Sequence, residues 1–220
     1  MSLLYRTLSF VWPVRVKRMH GSHGPLDLVW EYGRLVVNSA RANQSFGGLH
    51  TVWQHSFRAT GIKHRKIDRV LLLGLGTGSV VSILRKELGI AAAIIAVDND
   101  PEMLRLGRDH FGLGNWKDVE VLEDDAFEAI HRINGTFDLI AVDLFVEQDF
   151  VQKLLEPQVA IQLVAFLAKG GMLMVNTIDH DQRSRENVRA MDKALREHFG
   201  SVERLRPFGD NVVFIAQGTR

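Results

Sequence analysis

No cysteine occurs among the 220 residues. Disulfides, zinc–thiolate sites, iron–sulfur clusters and a cysteine nucleophile are therefore excluded, and a reducing cytoplasm is the default compartment. Long apolar runs are also missing. The two longest, residues 90–97 and residues 159–168 with their one Gln, fall well short of the roughly 20 residues that a membrane-spanning helix requires, so the sequence predicts no membrane partner. Residues 8–16 hold Pro13 and Arg15 and lack a small-residue cleavage pattern, so they do not read as a secretory signal. Repeats and low-complexity segments are absent, and 46% hydrophobic content excludes disorder. Net charge is almost absent as well, at +1, but this is a cancellation. Residues 1–69 carry 11 Lys/Arg against 3 Asp/Glu, whereas residues 70–220 carry 16 against 23. Such asymmetry marks either a binding face or an uneven solvated surface.

What is present divides at a basic linker between residues 61 and 68. Residues 1–60 read as a β-hairpin module and a linking helix. Residues 8–16 are rich in Val, Phe and Trp and read as a strand; two extended runs, 26–30 and 34–38, flank Glu31-Tyr32-Gly33, with Gly33 supplying the positive φ of a hairpin turn. Leu49, Val52, Trp53 and Phe57 then recur at helical spacing. Residues 61–220 alternate apolar strands (69–73, 92–98, 119–122, 137–143, 172–177) with helices near 79–88, 101–111, 125–133, 150–168 and 183–199. Continuous apolar strands such as Val70-Leu71-Leu72-Leu73 indicate burial on both faces, hence a doubly wound, mostly parallel sheet. Two further strands, 202–206 and 211–216, are joined by four residues. That is too short for a parallel crossover, so they form an antiparallel hairpin.

The chemistry concentrates behind the first buried strand, at Gly74-Leu75-Gly76-Thr77-Gly78-Ser79. Glycines permit a tight strand-to-helix turn and close approach of a ligand, while the helix start offers unpaired N–H groups. Asp98 ends the next strand, where a carboxylate can accept both hydroxyls of a ribose. The spacing is G-x-G-x-G, and Ser79 stands where a dinucleotide fingerprint would place Gly or Ala. In an open α/β sheet the crevice outside the strand carboxyl ends holds the ligand, so Gly74, Gly76, Gly78, Asp98, Asp125 and Asp143 converge on one cleft.

This loop, together with the terminal hairpin, resembles the class I S-adenosylmethionine-dependent methyltransferase fold, a Rossmann-like seven-stranded α/β architecture. The resemblance implies a sulfonium nucleoside as ligand, held by Gly74, Gly76, Thr77, Gly78, Asp98 and Asn99. It also implies that Asp125 accepts from the adenine amino group while Ala126 offers a backbone N–H; helix N-capping is the competing reading of Asp124 and Asp125. More narrowly, the layout is similar to the spermidine synthase (polyamine aminopropyltransferase) group. That group's Tyr-His-Glu-x-Leu-x-His pattern appears as Leu49-His50-Thr51-Val52-Trp53-Gln54-His55, its glycine loop as residues 74–79, its Glu-Ile-Asp as Asp98-Asn99-Asp100, its Gly-Asp-Gly-Phe in part as Asp124-Asp125-Ala126-Phe127, and its catalytic Asp-Ser-Ser-Asp-Pro as Asp143-Leu144-Phe145-Val146-Glu147.

The resemblance implies S-adenosylmethionine or its decarboxylated form as donor, a small-molecule acceptor, and Asp143 as the group that takes the acceptor's proton. His50, His55 and Glu147 are candidate acceptor-binding residues. Two of the group's carboxylates are lost, at Thr51 and Val146, which argues against an ordinary dicationic polyamine as acceptor. No metal site is expected, because His50 and His55 are five residues apart and do not share a helical face as ligands at i and i+4 would. The basic N-terminal module, with Trp12, Trp30 and Trp53, offers nucleic acid as an alternative partner, although the same spacing places these tryptophans in a small core. A non-catalytic binding protein is a further alternative. The N-terminal strands also present an edge for a homodimer.

Overall fold

A computed structural model describes residues 3–39, 43–144 and 153–219. Residues 69 onward build a sheet of seven strands, ordered β10-β11-β9-β8-β5-β6-β7. The strands are β5 (Arg69–Leu73), β6 (Ala93–Asp98), β7 (Val119–Glu123), β8 (Phe137–Val142), β9 (Leu167–Ile178), β10 (Phe199–Leu205) and β11 (Asn211–Thr219). The pairs β5–β6, β5–β8, β6–β7 and β8–β9 are parallel, and β11 runs antiparallel to both β9 and β10. This is the doubly wound sheet with a terminal hairpin that the apolar strands predict.

Alternation along the strands divides the core in two. Val70, Leu72, Leu139, Ala141, Met172 and Met174 face α2 (Gly48–Thr60) and α3 (Ser79–Ser82). Leu71, Leu73, Ile140, Val142, Leu173 and Val175 face α5 (Ala126–Ala129), α6 (Pro157–Ala165) and α7 (Gln182–His198). The helices between strands start where capping residues dictate. Asp100 accepts from the Glu102 and Met103 N–H groups ahead of Pro101 at the start of α4 (Pro101–His110), and Asp181 forms a capping box with Ser184 at α7.

Several boundaries differ from expectation for local reasons. The helix predicted over 79–88 continues past α3 as a π turn, Ile83–Glu87. The helix predicted over 125–133 keeps only one regular turn in α5 before turns take over. Of the helix predicted over 150–168, the regular part described is α6, and β9 begins at Leu167, five residues early, where the Phe166 carbonyl accepts the Phe137 N–H.

The N-terminal region is larger than a hairpin. β1 (Val14–Gly21), β2 (Gly24–Glu31), β3 (Arg34–Ser39) and β4 (Asn43–Ser45) form a four-stranded antiparallel sheet. Both turn residues between β2 and β3, Tyr32 at φ 47° and Gly33 at φ 74°, are left-handed, so Gly33 does not supply the positive φ alone. The strand expected over 8–16 begins only at Val14. Ahead of it, Leu3–Leu8 forms α1, a short helix in which the Thr7 and Ser9 hydroxyls bond back to carbonyls three or four residues earlier. Trp12 is correspondingly 76% exposed, not in a small core, while Trp53 is fully buried. The sheet packs through Met19, Leu26, Leu28 and Val37 onto Met103 and Leu106 of α4. It is thereby fixed next to the ends of β5 and β6, where the candidate site lies.

Candidate functional site

The glycine loop leaves β5 in the conformation that its residues permit. Gly74, Gly76 and Gly78 have φ of 91°, 56° and 96°. At Gly74 a side chain is also excluded by space, since a Cβ there would lie 2.2 Å from the Asp143 carbonyl oxygen. That contact exists because β8 is the parallel neighbour of β5 and the Asp143 N–H donates to the Leu73 carbonyl at 2.7 Å. On the other side, the Gly74 and Leu75 N–H groups both donate to the Val97 carbonyl of β6. Loop, Asp98 and Asp143 are thus held together at the point where connections leave β5 on opposite sides, the topological position at which α/β sheets bind ligands.

The Asp98 carboxylate is fixed by backbone. Its Oδ2 accepts the Gly76 N–H at 2.6 Å and its Oδ1 the Asp100 N–H at 3.0 Å. A carboxylate has about four acceptor positions, so acceptor capacity remains beyond these N–H groups for a ribose hydroxyl edge. Burial raises the Asp98 pKa above the ordinary carboxylate value, opposed by the N–H bonds from Asp100 and Gly76. Ribose hydroxyls as donors therefore fit the acceptor present. Thr77 is buried within the loop. Asn99 is exposed and is reached by the β1–β2 hairpin: its Oδ1 pairs with His23 Nε2 at 3.1 Å, and the Ser22 N–H donates to Asp100 at 2.9 Å. His23 thereby joins the rim of the site, unannounced by any sequence motif.

Asp125 does what the competing reading expects. Its Oδ1 accepts the Phe127 and Glu128 N–H groups at 2.8 and 3.3 Å and caps α5, with Ala126 buried at the first position of that helix. Asp124 accepts the Asp125 N–H and pairs with Arg132.

Asp143 is a strongly perturbed carboxyl. Burial pushes it up to about 7, against two hydrogen bonds that favour the charged form. The Asn176 side-chain amide donates to Oδ1 at 3.0 Å and the Trp53 indole N–H to Oδ2 at 2.6 Å. Both donors escaped the sequence reading. Trp53 read as a core residue, and it is one, with its N–H aimed at the cleft. Asn176 is the polar interruption in the apolar run 172–177, and that interruption was the available signal.

The two histidines part company. His50 is buried, with Nδ1 2.7 Å from Ser79 Oγ and Nε2 2.7 Å from Glu87 Oε1; Gln54 donates to the other oxygen of Glu87. α2 is thereby latched onto Ser79, the last residue of the glycine loop and the first of α3. His55 is exposed and its Nδ1 pairs with the Pro207 carbonyl in the β10–β11 connection, so the structure does not bring it to the glycine loop. Glu147, Phe145 and Val146 lie outside the described residues. Among the described residues no group of three or more His, Asp or Glu is disposed to hold a metal ion.

Comparison with known proteins fits this geometry. Residues 70–171 match a family profile described as a methyltransferase domain. The chain is 30% identical over 129 residues to a ribosomal protein L11 methyltransferase of Pelobacter propionicus, an alignment covering 57% of this chain and 38% of that protein. It thus spans about two fifths of the length of that curated relative. Among solved structures, a probable spermidine synthase from Corynebacterium glutamicum superposes with a TM-score of 0.72 at 18% identity, covering 91% of this chain and 79% of the other. Human methyltransferase-like protein 13, solved with S-adenosylhomocysteine, gives 0.64 at 19% identity over 79% of this chain and 83% of its own. The matched domain, the sheet order and the glycine loop with its partner carboxylate give the chain the Rossmann-like methyltransferase fold and make it similar to the class I S-adenosylmethionine-dependent methyltransferases.

Proposed function

We propose that the protein is an S-adenosylmethionine-dependent methyltransferase acting on a small acceptor whose nucleophilic atom carries a proton. The observation that carries this reading is the left-handed glycine loop locked to Asp98, with a desolvated carboxyl, Asp143, at the same strand ends. In this reading Asp98 accepts the two ribose hydroxyls, Asp125 Oδ2 and the Ala126 N–H meet the adenine edge, and the start of α3 meets the amino-acid end of the donor. When bound, the donor supplies a methyl carbon made electrophilic by its sulfonium. Asp143 takes the proton that the acceptor loses as its bond to that carbon forms. A base whose pKa lies near 7 is suited to that task at neutral pH. The N-terminal sheet and α2 hold acceptor and donor in line.

The loop favours the full donor over its decarboxylated form. Residues 74–79 contain no carboxylate to pair with a lone ammonium, whereas backbone N–H groups at a helix start suit an α-carboxylate. Aminopropyl transfer is the second reading, favoured by the superposition with the probable spermidine synthase over 91% of the chain. Calorimetric titration with each donor distinguishes the two. Methyl transfer predicts that S-adenosylmethionine binds at least about tenfold tighter than the decarboxylated donor, since a charge-assisted hydrogen bond contributes about 1.5–3 kcal/mol. The reverse order assigns aminopropyl transfer, and no heat with either donor refutes both.

A further inference from the structure

Ten large apolar side chains stand exposed among the described residues, and eight of them belong either to residues 3–12 or to Tyr32. They share one corner of the molecule. The Tyr32 N–H donates to the Ser9 carbonyl at 3.0 Å, the Gly33 N–H donates to Ser9 Oγ at 2.9 Å, and Phe10 lies so close over Gly33 that a Cβ there would come within 2.5 Å of its ring. The segment is therefore clamped to the β2–β3 turn while Phe10, Val11, Trp12 and Tyr32 remain 62%, 88%, 76% and 77% exposed. Solvated apolar area this concentrated marks an interaction surface.

Charge selects the occupant. Arg6, Arg15, Lys17, Arg18 and Arg34 are all exposed on the same α1–β3 module, whose acidic residues are Asp27 and Glu31. Asp27 is already paired with Arg18 at 2.7 Å, with Arg15 at 3.7 Å, and Glu31 accepts from Asn38. A twofold contact with a second copy would set these cations against themselves. A nucleic acid would use the cations and aromatic rings but has no use for exposed Leu3, Leu4, Leu8 and Val11. Aliphatic residues, Trp and Tyr at the tip, with Arg6 on α1 and Arg34 beside the Tyr32-Gly33 turn, suit the headgroup region of an anionic bilayer, where apolar side chains enter the acyl boundary and cations meet phosphate.

We propose that this corner is a docking surface for an anionic lipid bilayer, on which the protein lies without crossing. No helix of the described residues is long and apolar enough to cross a membrane, and lying on the surface requires none. A patch assembled from a six-residue helix, a turn and a hairpin tip leaves no apolar run of membrane-spanning length in the sequence.

Co-sedimentation of the full chain with vesicles of equal parts phosphatidylglycerol and phosphatidylcholine, against vesicles of phosphatidylcholine alone, tests the proposal. The expected result is binding to the anionic vesicles, at least about tenfold stronger than to neutral ones and weakened by salt. The combined variant Phe10→Ser, Val11→Ser, Trp12→Ser should bind at least about tenfold more weakly. A second variant, Arg6→Glu with Arg34→Glu, leaves the apolar tip intact and should lose the preference for anionic lipid. Circular dichroism checks that both remain folded. No binding of the wild type to anionic vesicles overturns the proposal, as does equal binding of the serine variant. So does a wild type that sediments as a dimer while the serine variant is monomeric, which would assign the corner to a second copy.

Discussion

Replacing Asp143 by Asn separates the burial of its charge from every other contribution to stability. In the folded chain burial raises this carboxyl from 3.8 to about 7. The folded state therefore holds the proton longer than the unfolded one. The favourable contribution is complete below about pH 3.8 and is lost progressively as pH rises toward 7. One pKa unit corresponds to about 1.4 kcal/mol, so the ionised carboxylate costs the wild type roughly 4 kcal/mol at about pH 8. Of this, about 3 kcal/mol develops between about pH 5 and pH 8. Asn at this position accepts from only one of Trp53 and Asn176 at a time, a loss of about 1–3 kcal/mol. That loss is nearly independent of pH and cancels when two pH values are compared. Urea unfolding of both proteins at about pH 5 and about pH 8 should show the wild type losing about 3 kcal/mol relative to Asp143→Asn. A stability difference that is the same at both pH values would refute the assignment of a desolvated, proton-holding carboxyl to this site. With an acceptor in hand, the same variant should lower kcat by about 10²–10⁴.

Further consequences follow from the neighbouring contacts. Trp53→Phe removes a donor to the charged form of Asp143, so the acid limb of the pH–rate profile should move to higher pH; an unmoved limb would show that the indole bond has no bearing on the proton. Gly74→Ala combines φ of 91° with a Cβ 2.2 Å from the Asp143 carbonyl oxygen and should cost about 3 kcal/mol or more in thermal unfolding; a loss below about 1 kcal/mol would mean that the loop and β8 are not in contact. His50→Leu leaves Ser79 and Glu87 without their shared partner and should cost about 1–3 kcal/mol and weaken donor binding, whereas His50→Gln should restore most of both; equal effects of the two variants would remove the latch.

The parallel core was legible because strands buried on both faces write continuous apolar runs. Leu71 and Leu72 belong to opposite cores, and each must be apolar. The glycine loop and Asp98 were legible for a similar reason, since both sit at strand ends whose positions those runs define. The N-terminal module was not. In residues 8–16 the apolar residues that suggested a strand are mostly exposed, and α1 depends on hydroxyls bonding back to the chain, which leaves no hydrophobic periodicity. The surroundings of Asp143 were hidden by distance. Its donors lie 90 and 33 residues away in sequence, on α2 and β9, and converge only after the sheet forms.

The central claim is that the loop at residues 74–79 and Asp98 bind a sulfonium nucleoside. Titrating S-adenosylhomocysteine into the wild type and Asp98→Asn, each checked to be folded, tests it most directly. The account predicts saturable binding by the wild type and about a hundredfold weaker binding by the variant, because a charged partner of two ribose hydroxyls is lost. Equal affinity of the two proteins, or no binding by the wild type, would contradict it.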